Sequence, residues 1–397
     1  MDEIDPLGVE SDEEKRTPTP TIPDGGWENE ALAQVRVRSL RGHTQTVTTC
    51  QFFDKDERII SSSWDGTVGI WSTETGNNIC WIRCHSNRCS GARISSDAII
   101  KDIFSCLTLD GQKFVSGGWD KRVKLIDVES SAILWEKANR GVVTACDYSS
   151  DDKTIVSVSD ISHLVSLWDE RSGDLIKEIG DLHNTTVTSV TFSPMSDRIA
   201  TTSMDKTCKL YDLRTFKKTV TLEGHSNIVS CASFSQDERH LATSSWDKNV
   251  CVWDVSTGQY RLQGPEKIEK AHQGSVSCCK FSDDGLLLVT GGYDSGVCVW
   301  DTEGEQILQS LRLQGHGDWV ECIDISSDKD FLISGSKDCT IRLWNVEDSD
   351  SIPIVLESKK AIVGKMLQCS RCGKPFSIAQ VQSKSEVDIC VFCRLQE

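Results

Sequence analysis

Nowhere in the 397 residues is there a run of the roughly eighteen apolar residues that a membrane-spanning helix needs. The opening stretch, MDEIDPLGVESDEEKR, lacks the apolar core of a secretory leader. Positive charge is short as well: 43 Lys and Arg face 60 Asp and Glu, for a net charge of −17. Ten of the acidic residues and two of the basic ones fall within residues 1–30, so that segment carries −8 and the remainder −9. An acidic surface repels phosphate backbones, which argues against general nucleic-acid binding, while it tolerates basic partners. Also missing are the short signatures of common catalytic sites, namely G-x-S-x-G, the phosphate-cradling P-loop and H-E-x-x-H.

Cysteine, by contrast, is plentiful, with 18 residues. In a short secreted chain such a count would imply disulfides, but this chain is long and no secretory leader is expected. Cys50, Cys146, Cys231, Cys251, Cys279, Cys298 and Cys322 lie inside alternating apolar runs, where cysteine acts as a small hydrophobe. A reducing cytoplasmic or nuclear setting follows as the expectation.

The chain repeats itself. SSSWDGTVGIW ends at Trp71, SGGWDKRVKLI at Ile126, TTSMDKTCKLY at Tyr211, TSSWDKNVCVW at Trp253, TGGYDSGVCVW at Trp300 and SGSKDCTIRLW at Trp344. A seventh, irregular copy, VSVSDISHLVSLW, ends at Trp168. The regular copies carry an Asp six residues earlier: Asp65, Asp120, Asp205, Asp247, Asp294 and Asp338. Between them run short stretches of period-two alternation punctuated by D-G, D-K and T-G, the pattern of short antiparallel strands and tight turns. A histidine precedes several copies: His43, His183, His225, His272 and His316. The copies recur at roughly 40–55 residues, a period that fits one four-stranded propeller blade per repeat.

These residues resemble the WD-repeat (WD40) family over roughly residues 35–357. The resemblance implies an all-β, seven-bladed propeller whose closed ring leaves no exposed strand edges. It implies an interaction scaffold or adaptor, not an enzyme. It also implies hydrogen-bonded tetrads: His43–Ser61–Asp65–Trp71, His225–Thr243–Asp247–Trp253 and His316–Ser334–Asp338–Trp344. Physical chemistry supports such sets independently, since a buried indole N–H or carboxylate without a partner is costly. Ile126 and Tyr211 replace the Trp in blades 2 and 4, and blade 3 has a longer turn and no matching His. The strand-like VRVRSL at 35–40 is expected to complete blade 7, with IPIVLE at 352–357 as its competitor.

In this family the residue before the turn Asp, and the third residue after the His, face the top of the propeller. The first set is Trp64, Trp119, Met204, Trp246, Tyr293 and Lys337; the second includes Thr46, Thr186, Ile228, Ser275 and Trp319. Trp and Tyr dominate interface hot spots, so this rim is the expected partner-binding surface; the alternative is that the rings only pack over neighbouring blades. Trp168-Asp169-Glu170-Arg171 and Tyr211-Asp212-Leu213-Arg214 resemble the W/Y-D-x-R motif with which some WD-repeat proteins dock on a cullin-4 ubiquitin-ligase adaptor as substrate receptors. Arg171 and Arg214 would reach a partner, with Asp169 and Asp212 beside them; local pairing with those Asp residues is the plainer alternative.

Beyond the repeats, Cys369-x2-Cys372 and Cys390-x2-Cys393 are separated by seventeen residues. Two such pairs fit a closed, structural four-thiolate Zn2+ site in a small ribbon or knuckle. Cys80, Cys84, His85 and Cys89 match no common zinc spacing and are expected in an exposed loop. The expected organisation is a disordered acidic tail at 1–30, a propeller at 31–357 and a zinc module at 358–397. In the tail, Thr17-Pro18, Thr19-Pro20 and Ser11-Asp12-Glu13-Glu14 suit proline- and acid-directed kinases.

Overall fold

Short β-runs joined by tight turns pair antiparallel in chain order and build seven sheets around one axis. The structure is a computed structural model; it describes residues 27–29, 35–85, 103–107, 111–160, 163–256, 264–302, 307–347, 366–368 and 375–377. The acidic stretch before residue 27, the segment 352–357 and all four cysteines from Cys369 to Cys393 lie outside the described residues.

Each sheet has strands a to d from the axis outward, and that of blade 7 has one more. The strands a are Val47–Phe53, Ile103–Leu107, Val143–Tyr148, Val187–Phe192, Val229–Phe234, Val276–Phe281 and Val320–Ile325, in blades 1 to 7. Successive strands a are neighbours, and that of blade 7 also adjoins that of blade 1, so the ring is closed. There is no helix among the described residues.

Burial departs from simple alternation. Strands b and c lie between two neighbouring blades and are covered on both faces: from Ile59 to Ser63 every residue is buried. Strands d form the outer wall and are largely exposed, as at Leu175–Ile179. Among the largest fully buried side chains are Trp71 and Trp344 of strands c.

Blade 7 is completed from the other end of the chain. Arg36–Arg41 pairs antiparallel with Thr340–Asn345, setting Val37 opposite Trp344 and Leu40 opposite Ile341. Glu28–Asn29 adds a fifth strand outside it, and Arg38 stacks 4.4 Å from the Trp27 ring. Residues 27–29, counted with the acidic tail on sequence grounds, therefore pack on the propeller. At the seam, Asp324 of blade 7 accepts the Phe52 N–H of blade 1 at 2.9 Å. Apart from the ring, Met366–Gln368 pairs with Pro375–Ser377 in a short hairpin.

Candidate functional site

The repeated His, Ser or Thr, Asp and Trp residues meet in a fixed relay. In blade 7 the Trp344 indole N–H donates to Ser334 Oγ at 2.8 Å; Ser334 Oγ lies 2.7 Å from His316 Nε2, and His316 Nδ1 lies 2.9 Å from Asp338. An ionised carboxylate only accepts, so Nδ1 carries the proton, Nε2 accepts from the serine, and the imidazole is neutral. Burial lowers the His316 pKa, in the same direction. Blades 1 and 5 repeat the set through His43, Ser61, Asp65 and Trp71, and through His225, Thr243, Asp247 and Trp253. Blade 6 makes it too, through His272, Thr290, Asp294 and Trp300.

Burial alone would raise the carboxyls of Asp65, Asp205, Asp247, Asp294 and Asp338. The facing His and the N–H groups of the turn outweigh it and hold them well below the usual carboxylate range. The members of each complete relay satisfy one another, and the turn carboxyls also accept backbone N–H groups, as Asp338 does from Gly317 at 2.9 Å.

Two of the departures follow from shape. In blade 4 the Tyr211 hydroxyl bonds the Phe216 carbonyl at 2.6 Å and not Thr201, while His183, Thr201 and Asp205 keep their contacts. In blade 2 a histidine is present after all. His85 is buried, 2.8 Å from Asp120 and 2.9 Å from Ser116. The expectation of an exposed loop at Cys84 and His85 is therefore corrected; Cys84 is also buried, which pushes its thiol up to about 12. The normal His–Asp separation is 22 residues, but here it is 35, because residues 86–102 stand between His85 and strand a where only residues 44–46 separate His43 from its own strand a.

The two sets of rim residues lie on one face. In five blades the backbone N–H of the residue before the turn Asp donates to the carbonyl of the third residue after the His: Trp64 to Thr46, Met204 to Thr186, Trp246 to Ile228, Tyr293 to Ser275 and Lys337 to Trp319. On blades 5 to 7 their side chains join into a ladder. The Trp246 and Tyr293 ring centroids are 6.3 Å apart, Tyr293 stacks on Trp319 at 4.4 Å, and Lys337 Nζ lies 3.9 Å over the Trp319 ring. All of these residues are half-buried. Met204, Ile228, Trp246 and Tyr293 also line a pocket at the mouth of the central channel, together with Thr188, Ser277 and Glu321. Trp64 and Trp119 stand apart from the ladder, and their indole nitrogens are buried without a hydrogen-bond partner among the described residues.

The opposite face carries the c–d turns. Asp169 accepts the Ser172 N–H at 2.8 Å, and Asp212 accepts those of Arg214 and Thr215 at 2.7 and 2.9 Å. Arg214 reaches Asp197 at 3.4 Å and Asp212 at 3.9 Å, while Arg171 is exposed. Sequence patterning gave no warning of the apolar side chains left exposed at or near strands d of blades 2 to 4. Leu175 and Ile176 of blade 3, Ile133 and Leu134 of blade 2, and Phe216 of blade 4 are all exposed.

A family model described as "WD domain, G-beta repeat" matches residues 34–72, 176–212, 216–254, 264–301 and 306–345. The chain is 41% identical over 370 residues to "WD repeat-containing protein 88" of Homo sapiens, covering 93% of this chain and 76% of that protein. The chain belongs to the WD-repeat family. Two other relatives match at lower identity over less than half of the chain. "Protein tipD" of Dictyostelium discoideum is 26% identical over 45% of this chain and 27% of its own length. "Pre-mRNA-processing factor 17" of Homo sapiens is 26% identical over 46% of this chain and 30% of its own length.

The family model leaves out blades 2 and 3, the two blades without a complete tetrad and without a His at the regular spacing. As in the rest of this WD-repeat ring, their strands b and c are buried all the same. Among the described residues, no group of three or more His, Cys, Asp or Glu could hold a metal, and no helix is long and apolar enough to cross a membrane.

Proposed function

We propose that this propeller is an intracellular interaction scaffold without catalytic activity, and that it binds partner proteins on the b–c turn face of blades 4 to 7. The ladder of Trp246, Tyr293, Trp319 and Lys337 carries this reading. Stacked rings are already ordered, so a partner gains large contact area there for little further loss of side-chain freedom. Membership of the WD-repeat family supports a protein-binding role in general. Replacing Trp246 and Trp319 together by Ala is expected to reduce capture of cellular partners at least about tenfold while leaving the far-ultraviolet spectrum unchanged. Undiminished capture would overturn the assignment.

A second surface supports a second reading, docking to a cullin-4 type ligase adaptor as a substrate receptor. Arg171 sits beside exposed Leu175 and Ile176, and Lys177 lies 4.3 Å over the Phe216 ring, joining the neighbourhoods of the two c–d turns. An arginine bordered by exposed apolar groups has the composition of an interface. Co-purification with the adaptor, lost on Arg171→Ala and Arg214→Ala, would establish it; absence of the adaptor from wild-type preparations would end it.

We also propose that Cys369, Cys372, Cys390 and Cys393 hold one structural Zn2+. The donor set, two thiol pairs at zinc-site spacing, fits a closed tetrahedral site, and a segment this short needs such an ion to fold. Metal analysis should find one zinc per chain, reduced by Cys369→Ser. Zinc-free protein would refute it.

A further inference from the structure

Strands a wall the central channel, and two of the seams between them carry cysteines from both sides. Cys50, the fourth residue of strand a in blade 1, and Cys322, the third of strand a in blade 7, have their sulfurs 3.3 Å apart. The two lie 272 residues apart in sequence, on the first and last blades of the ring. Both are nearly buried, yet both line the channel, a cavity of about 220 Å³. Cys231 and Cys279 hold the same two positions where blade 5 meets blade 6, with Cys231 Sγ 3.9 Å from the Cys279 carbonyl. The seam of blades 7 and 1 differs in that the two ends of the ring meet there. Across it run the bond from the Phe52 N–H to Asp324, that from the Ser327 N–H to Asp56 at 2.8 Å, and the packing of Val47, Cys50 and Cys322 with Ile333. None of these links is covalent, and both cysteines are free thiols.

We propose that Cys50 and Cys322 are an oxidisable pair whose disulfide fastens blade 1 to blade 7 and closes the ring covalently. Sulfurs in a disulfide stand about 2.05 Å apart, so the pair has to approach by about 1.2 Å. The bond backs the ladder of Arg36–Arg41 on Thr340–Asn345, which otherwise joins the two ends of the ring. The oxidant is a peroxide small enough to enter the channel. Burial and the neighbouring Cys322 sulfur push the Cys50 thiol up and keep it protonated, so the first attack falls to the Cys322 thiolate. That sulfur takes one peroxide oxygen and becomes a sulfenic acid; the hydroxide released picks up the proton Cys322 had shed and leaves as water. The Cys50 sulfur then attacks the sulfenic sulfur. The S–S bond forms, the S–O bond breaks, and the hydroxyl departs with the Cys50 proton as a second water. Two thiols lose two electrons, and one peroxide gains them. A thiol reductant restores the pair by exchange, so in a reducing compartment the resting state is the dithiol.

The test uses the full chain, reduced, freed of reductant, exposed to hydrogen peroxide and then alkylated in denaturant. Peptide mapping without reduction should find Cys50 linked to Cys322. The oxidised chain, closed into a loop of 272 residues, should also migrate faster on a denaturing gel. Its thermal midpoint should rise by at least about 5 °C over that of the reduced chain and fall back on addition of dithiothreitol, because the bond restricts the unfolded chain. Cys50→Ala should abolish the linked peptide and the rise together, whereas Cys231→Ala should keep both. The wild-type map decides whether the bond forms even where a variant does not fold. Peroxide-treated wild-type protein in which Cys50 and Cys322 remain alkylatable, go on to sulfinic acids or link to other cysteines would overturn the proposal. So would a linked pair that leaves the midpoint unchanged, or a rise that survives Cys50→Ala.

Discussion

At the scale of single residues, each tetrad turns on one hydroxyl. Ser334 accepts from Trp344 and donates to His316, so Ser334→Ala strands an indole N–H and an imidazole nitrogen in the core. Two orphaned buried groups imply a loss of about 2–4 kcal/mol, measurable by urea unfolding. The glycine before the His is equally constrained. A Cβ at Gly224 would lie 2.9 Å from the Trp253 ring, so Gly224→Ala should cost about 1–3 kcal/mol in the same measurement. Where strand c carries Ile126 or Tyr211 in place of Trp, that position is Cys84 or Leu182, and in blade 6, whose strand c keeps Trp300, it is Ala271, so one methyl is accommodated there. The turn carboxyls also fix an acid response. Their folded pKa values are depressed, so the stability they contribute is complete above the unfolded value near about pH 4 and is lost as pH falls below it. Thermal midpoints should therefore drop on acidification, and Asp247→Asn should start lower at neutral pH and show a shallower acid decline. An equally steep decline in that variant would mean that other carboxyls dominate.

At the scale of the strand, much of the fold was legible because the b–c turn leaves a fixed six-residue mark from Asp to Trp, and a buried Trp N–H demands partners. The spacing failed where an insertion separated parts of one unit: His85 stands before residues 86–102 and its partner Asp120 after them, so no fixed interval links the two. Period-two alternation also described strands b and c poorly, since a strand enclosed between two blades needs no polar face. The closing strand was foreseen from VRVRSL, and Arg36–Arg41 pairs along its whole length with Thr340–Asn345. Its pairing joins the two ends of the ring and buries Val37 and Leu40. Removing residues 27–41 is expected to lower the thermal midpoint by more than about 10 °C or to yield aggregated chain, because an open edge strand is exposed and those side chains are lost. An unchanged midpoint would show that another segment closes blade 7.

At the scale of the molecule, the candidate site was legible as a set of positions but not as a surface. The family resemblance implied one face for Trp64, Trp119, Met204, Trp246, Tyr293, Trp319 and Lys337 without distinguishing among them. Their side-chain contacts do distinguish them: an aromatic ladder with a pocket occupies blades 4 to 7, while Trp64 and Trp119 stand away from it. The exposed apolar side chains of blades 2 to 4 were not legible, because ordinary strand-d residues look the same in sequence whether a neighbour covers them or not. The resulting picture is polarised, with aromatic rings on the b–c turn face and arginines with aliphatic groups near the c–d turns. Proximity labelling in cells tests that polarity most directly, comparing wild-type protein with Trp246→Ala/Trp319→Ala and with Arg171→Ala/Arg214→Ala at equal abundance. Loss of most labelled partners in the tryptophan variant, with a different or smaller set lost in the arginine variant, is the predicted result; a tryptophan variant that labels the wild-type set would contradict it.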